Sequence, residues 1–170
     1  MGYSNYKHLK DYSKLFGGLE IEELKDIAEI ITTRNYKADT IIIEEGESGD
    51  EMYLLDEGAV DVSKTLTVIT SKHEFGTKER SFIRLLAEYH IFFGEMSLFG
   101  SSERSATVKA VTDCKLLVIN GNDLLELCKH NPKIGFEIVS NICLILADRL
   151  RNTNNDVTKL TTALSLALSE

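Results

Sequence analysis

Two side chains of opposite charge flank one short loop and could grip an anion: Glu95, directly after Gly94, and Arg104, nine residues on. The run reads Phe93-Gly94-Glu95-Met96-Ser97-Leu98-Phe99-Gly100, then Ser101-Ser102-Glu103, then Arg104-Ser105-Ala106-Thr107. A glycine lets a backbone approach a ligand closely, and a short helix begun at Glu95 offers the unpaired N–H groups that hold anions at helix starts. Arg104 adds a planar fork suited to a phosphate. The same acid and base could instead form a bare salt bridge across the loop. Elsewhere reactive chemistry is sparse. No nucleophile-elbow, phosphate-loop, zinc-protease or Cys-x-x-Cys spacing occurs, and His8, His73, His90 and His130 are scattered without ligand spacing. The pattern points to binding, with no enzyme activity and no metal site expected.

The rest of the chain must position this loop. Its 170 residues, 43% hydrophobic with a single proline, suffice for one core and argue against disorder or several domains. Acidic side chains outnumber basic ones by 27 to 19, so the net charge of -8 lacks the positive field that draws nucleic acid or an anionic membrane. Met1 to Lys14 has no apolar signal core, and no run reaches the ~18 apolar residues of a membrane span. A cytoplasmic protein is therefore expected. Cys114, Cys128 and Cys143 sit in apolar surroundings and read as reduced, buried thiols.

Leu15 to Ile31 carries Leu19, Ile21, Leu24, Ile27, Ala28 and Ile31 at helical spacing behind Glu20, Glu22 and Glu23, predicting one helix with a buried face. From Tyr36 short β-branched runs follow at 40–43, 52–55, 59–62, 66–70, 82–86, 106–111 and 115–119, a pattern that predicts an antiparallel sandwich or jelly roll. The polar run Ser71 to Arg80 reads as an exposed hairpin tip. Asp123 to Lys129 predicts a short helix, and Pro132 opens a long final one. Along it Leu146, Leu150, Thr153, Val157, Leu160, Leu164 and Ala167 recur at alternating spacings of 4 and 3, a heptad seam that predicts a homodimer. Three segments result: a tail over 1–18, a binding sandwich over 19–131 and a dimerisation helix over 132–170.

These residues in this order resemble the cyclic nucleotide-binding domain family, which includes catabolite activator proteins, protein kinase A regulatory subunits and cyclic nucleotide-gated channels. Phe93-Gly94-Glu95 and Arg104-Ser105-Ala106-Thr107 match its phosphate-binding cassette. Glu45-Gly46-Glu47 and the run from Gly49-Asp50-Glu51-Met52-Tyr53 to Gly58-Ala59-Val60 match the stretch upstream. The similarity extends from about Leu15 to Leu160. It implies an α+β, mainly β fold: an eight-stranded antiparallel jelly roll with N-terminal helices and a long C-terminal helix. By position, Glu95 would accept the ribose 2′-hydroxyl and Arg104 would pair with the ring phosphate. Gly94, the first-turn amides through Met96, Ser105 and Ala106 would cradle that phosphate, and Val62 would lie against the base.

The resemblance to the activator type reaches the last helix, where Ala147-Asp148-Arg149-Leu150-Arg151-Asn152-Thr153-Asn154 aligns with a segment that touches adenine. Thr153 becomes a base contact and Asn154 a residue able to reach a second copy's pocket. In similar cGMP-binding members an arginine on the preceding strand and a Thr after the cassette arginine contact guanine. Here Arg84 lies one place away and Ser105 replaces the Thr, so the expected ligand is cAMP, with cGMP second and no further cofactor. Glu88-Tyr89-His90-Ile91-Phe92 replaces the family's usual Gly-Asp turn. The chain stops at Glu170, so no DNA-reading domain is expected and the signal would pass through the dimer or a separate output protein. The alternative is a dimeric structural protein with a vestigial cassette.

Overall fold

In the computed structural model, which describes residues 3–71, 74–98 and 103–168 and only the backbone of 66–71 and 74–82, eight strands form two four-stranded antiparallel sheets. One sheet runs β1 (Ile31–Tyr36), β8 (Cys114–Asn120), β3 (Glu51–Glu57), β6 (Phe92–Phe93). The other runs β2 (Ile41–Ile43), β7 (Thr107–Ala110), β4 (Ala59–Ser71), β5 (Glu74–Leu86). The implied jelly roll is the fold observed.

The two inner strands of the first sheet, β8 and β3, are buried on both faces. Along β3, Met52 and Leu54 join one core with the helices, while Tyr53 and Leu55 join a second core between the sheets. β8 divides the same way, with Leu117 and Ile119 toward the helices and Leu116 and Val118 toward the sandwich. The period-2 geometry of a strand sends successive side chains to opposite faces, so a strand buried twice must read as a continuous apolar run. β6 is too short to show any period, yet Phe92 and Phe93 follow the same division.

The helical layer consists of α1 (Ser13–Phe16), α2 (Ile21–Glu29), α3 (Gly121–His130) and α4 (Pro132–Leu168), preceded by a 3-10 turn at Tyr6–Asp11. The single helix expected from Leu15 to Ile31 is broken. A Cβ on Gly17 would lie 2.6 Å from the Ser13 carbonyl, and Gly18 adopts φ +85°, which L side chains rarely take. α2 starts afresh, with the Glu23 carboxylate accepting the Glu20 N–H at 2.7 Å, and Ile31 belongs to β1, opposite Ile119. β1 escapes a reading by alternation because only Ile31 of its six residues is fully buried.

The polar run 71–80 is not a long tip either. Pairing between β4 and β5 runs from Ala59 opposite Leu86 to Ser71 opposite Glu74, so the polar segment is mostly strand; Lys72 and His73 lie outside the described residues. An antiparallel ladder satisfies its backbone whatever the side chains, and beyond Ser63 β4 no longer pairs with β7. Of the three cysteines, all free, Cys114 is buried as expected, but Cys128 is half-buried and Cys143 exposed on α4. An apolar neighbourhood in sequence does not say which way a helical side chain faces.

α4 begins at Pro132 and buries Ile134, Gly135, Ile138 and Ile142 against the helical core. Asn141 Nδ2 donates to the Leu15 carbonyl at 3.0 Å and the Gly17 carbonyl at 2.9 Å, closing the end of α1 onto α4. From Ala147 to Leu168 every residue is exposed.

Candidate functional site

The loop after β6 begins at Gly94, whose φ of +82° turns the chain under Arg104; a Cβ there would lie 2.9 Å from the Glu51 carbonyl and 3.0 Å from Arg104 Nη1. A 3-10 turn over Glu95–Leu98 follows. Glu95 and Arg104 are buried, at 2% and 8% exposure, the two members of the cassette that water would otherwise claim.

The two do not pair with each other, so the bare salt bridge across the loop is not formed. Arg104 Nη1 donates to the Glu51 carbonyl at 2.9 Å, Ser97 Oγ at 2.8 Å and the Gly94 carbonyl at 3.3 Å. Its guanidinium lies 5.8 Å from the Tyr53 ring centroid, and that ring stacks on Phe93 at 5.5 Å. The Tyr53 hydroxyl donates to Glu51 at 2.8 Å. Glu51 also takes Arg34, whose guanidinium, ahead of the Tyr53 hydroxyl, holds the carboxyl below its ordinary range. Burial and then the Glu51 acceptor push the Tyr53 hydroxyl up, keeping it a neutral donor.

The upstream stretch secures the arginine from behind. Arg104 N–H donates to the Glu47 carbonyl at 2.8 Å, and Gly46 N–H returns a bond to the Arg104 carbonyl at 2.9 Å. Glu45 N–H reaches Thr107 Oγ1 at 3.1 Å. Two segments far apart in sequence thus hold one residue by its main chain, which leaves its side chain to be aimed.

Glu95 is satisfied from α4. Arg149 pairs with its Oε1, donates to the Phe92 carbonyl at 3.4 Å and lies 5.7 Å from the Phe92 ring centroid. One turn on, Thr153 Oγ1 donates to the Arg149 carbonyl at 3.0 Å. Sheet, cassette and helix enclose a cavity of ≈ 420 Å³, within the ~300–1,000 Å³ of small-molecule sites. Its apolar wall is Ile43, Val62, Ile83, Leu85 and Val108, and its polar wall includes Glu95, Ser97, Arg104 and Ser105. A buried acid, a buried arginine and an apolar slot form a site for a ligand with an anionic group, a hydroxyl and a flat apolar body.

The family model of the cyclic nucleotide-binding domain matches residues 33–131, more than half of the chain. This chain belongs to the cyclic nucleotide-binding domain family. It is similar to the cyclic AMP receptor protein of Thermus thermophilus, 33% identical over 142 residues, 84% of this chain and 59% of that one. It is also similar to a cyclic nucleotide-gated potassium channel of Mesorhizobium japonicum, 33% identical over 121 residues, 71% of this chain and 29% of the channel. The chain thus spans less than two thirds of the length of these curated relatives. Among solved structures it resembles the Thermus thermophilus catabolite activator protein, with a TM-score of 0.72 and 32% identity over 88% of this chain and 63% of that one. A cyclic nucleotide-binding domain from Methylobacillus flagellatus shares the fold, with a TM-score of 0.74 at 21% identity over 92% of this chain and 85% of that one. No helix among the described residues is long and apolar enough to cross a membrane.

Gly94, Glu95, Met96, Arg104, Ser105, Ala106, Val62 and Thr153 all line the one cavity. Asn154 does not; it lies on the exposed side of α4, its carbonyl accepting from Thr158 Oγ1 at 2.9 Å. Arg84 is turned away as well. It donates to Asp61 through Nε at 2.7 Å and Nη2 at 2.8 Å, while its neighbours Ile83 and Leu85 face the cavity. Phe99 to Ser102 of the cassette lie outside the described residues. Arg149 has no role in the motif as it reads in sequence. Its signal was the four-residue step to Thr153, which places the two on one helical face. A larger cavity of ≈ 530 Å³ adjoins the first, sharing Leu85, Phe92, Arg149 and Asn152, but touches neither Glu95 nor Arg104.

Proposed function

We propose that this chain is a regulatory sensor module without catalytic chemistry of its own, taking cAMP in preference to cGMP and relaying its arrival through α4. The observation that carries the base preference is the Thr153 hydroxyl. Having donated its proton to the Arg149 carbonyl, it presents only lone pairs to the cavity. Lone pairs accept from the amino group of adenine, whereas the keto oxygen of guanine is itself an acceptor and gains nothing there. Arg84, paired with Asp61, does not line the cavity in which guanine would sit.

The relay rests on a shared acceptor. A ribose hydroxyl reaching Glu95 shares that carboxylate with Arg149, so ligand affinity and the placement of α4 are linked by one coupling free energy. Support for a homodimer is the apolar stripe of Leu150, Val157, Leu160 and Leu164, which are 55–71% exposed and stand at heptad positions. Asn154 flanks that stripe, where a second copy's cavity would meet it.

Calorimetric titration with cAMP, then cGMP, beside an Arg104→Ala variant tests the reading. Binding at least about tenfold tighter for cAMP, and about tenfold to a hundredfold weaker in the variant, is expected. Tighter binding of cGMP overturns the base preference, and a wild type that binds neither nucleotide overturns the function and leaves a dimeric scaffold. Hydrogen exchange over residues 145–165 that is unchanged on saturation overturns the relay.

A further inference from the structure

We propose that Asn152 reads the amino and N7 edge of the bound adenine, a role that rests on the cyclic nucleotide reading above and extends it to a second base-selecting residue. Arg149, Asn152 and Thr153 stand three and four residues apart, hence on one face of α4, and all three line the ≈ 420 Å³ cavity. Their remaining hydrogen-bonding capacity differs. Arg149 is committed to Glu95 and the Phe92 carbonyl, and Thr153 has given up its proton. The wall from the strands is apolar. Of the α4 residues lining the cavity, Asn152 alone offers a donor and an acceptor together, because its carboxamide has no hydrogen-bond partner among the described residues.

A carboxamide matches adenine in a bidentate pair, its oxygen accepting from N6–H and its NH2 donating to N7. The second N6 proton is then available to the Thr153 lone pairs. Guanine presents two acceptors, O6 and N7, on the same edge, so the carboxamide oxygen would face a lone pair. Two neighbouring residues of one helix thus divide one amino group between them.

Calorimetry on the full chain with cAMP, cGMP and 7-deaza-cAMP, which has a C–H in place of N7, tests the assignment in wild type, Asn152→Leu and Asn152→Gln. Wild type should bind 7-deaza-cAMP about tenfold more weakly than cAMP. Asn152→Leu should bind the two alike, with cGMP affinity altered by no more than about twofold, so that its cAMP preference shrinks by about that tenfold factor. Asn152→Gln should recover part of it. A thermal melt of Asn152→Leu that matches wild type separates loss of contact from loss of fold. Equal wild-type affinity for cAMP and 7-deaza-cAMP, or a discrimination that Asn152→Leu retains, overturns the role of Asn152 while leaving cyclic nucleotide binding intact. A wild type that binds none of the three overturns the underlying reading instead.

Discussion

The two halves of α4 are built by different rules. Up to Leu146 the helix is a wall of the core: Ile134, Ile138 and Ile142 are at most 2% exposed, Asn141 is bonded to two carbonyls at the end of α1, and Lys133 pairs with Glu23 of α2. Past Leu146 its residues are exposed, Arg149, Asn152 and Thr153 close one side of the cavity, and the bonds that tie it to other elements include those of Arg149 to Glu95 and the Phe92 carbonyl. The first half is therefore held by burial. The second is held by polar contacts at the very carboxylate a ligand would address. On the relay proposed above, a continuous helix with one end embedded and the other tethered at the site would act as a lever, since backbone hydrogen bonds keep it rigid while little packing would resist its swing.

Substitutions can test that contrast. The largest effect is expected from Ile138→Ala, which should cost about 2–5 kcal/mol of unfolding free energy in urea, whereas Leu160→Ala should leave the monomer within about 0.5 kcal/mol of wild type. Comparable losses at the two sites would break the comparison. Leu160→Asp should nonetheless abolish any dimer seen by sedimentation, because a charge in the seam has no partner there. Next in size, Arg104→Ala should weaken cyclic nucleotide about tenfold to a hundredfold, the worth of ~1.5–3 kcal/mol in charge-assisted hydrogen bonds.

Arg149→Met sharpens the contrast directly. It leaves Glu95 buried without its cation, at a cost of about 1–3 kcal/mol, and should speed hydrogen exchange from residue 147 onward in the ligand-free protein while sparing 134–142. Uniform acceleration along α4 would mean that the halves are not independent.

The smallest effect concerns the anchored half. The Glu20 N–H, and then Lys133, hold the Glu23 carboxyl below its ordinary value of 4.5. A depressed folded pKa stabilises above the ordinary carboxylate range, and that stability is lost as pH falls through the folded value. Glu23→Gln should accordingly lower the melting temperature by about 1 °C at neutral pH. The difference from wild type should close on acidification, and one that persists unchanged into strong acid would remove the charge from the account.

Much of the site was legible because its parts are local. Phe93-Gly94-Glu95 and Arg104-Ser105-Ala106 are short runs in which residue type and spacing carry the geometry, and the long helix announces itself by Pro132 and by period. Other features were hidden for a physical reason in each case. β1 has one fully buried residue in six and so no alternation to read, β6 has two residues and no period, and Gly17-Gly18 interrupts a helix that apolar spacing alone would carry through. Cys143 lies among apolar residues in sequence but faces outward, since a helix turns each successive side chain by about 100°.

The partner of Glu95 is the deeper case. Residue order alone was enough to put an acid and an arginine in one cassette, because the family's pattern is present at Phe93-Gly94-Glu95 and at Arg104-Ser105-Ala106-Thr107, and to place an amphipathic helix after it. It took the packed molecule to show that Glu95 and Arg104 do not meet, that Arg149 takes the carboxylate instead, and that Asn152 and Thr153 come to the cavity beside it. Ion pairs and cavity walls form between elements whose approach is set by core packing, here Ile134, Ile138 and Ile142 seating α4 against the first sheet and the other helices. No local spacing in the chain encodes that approach.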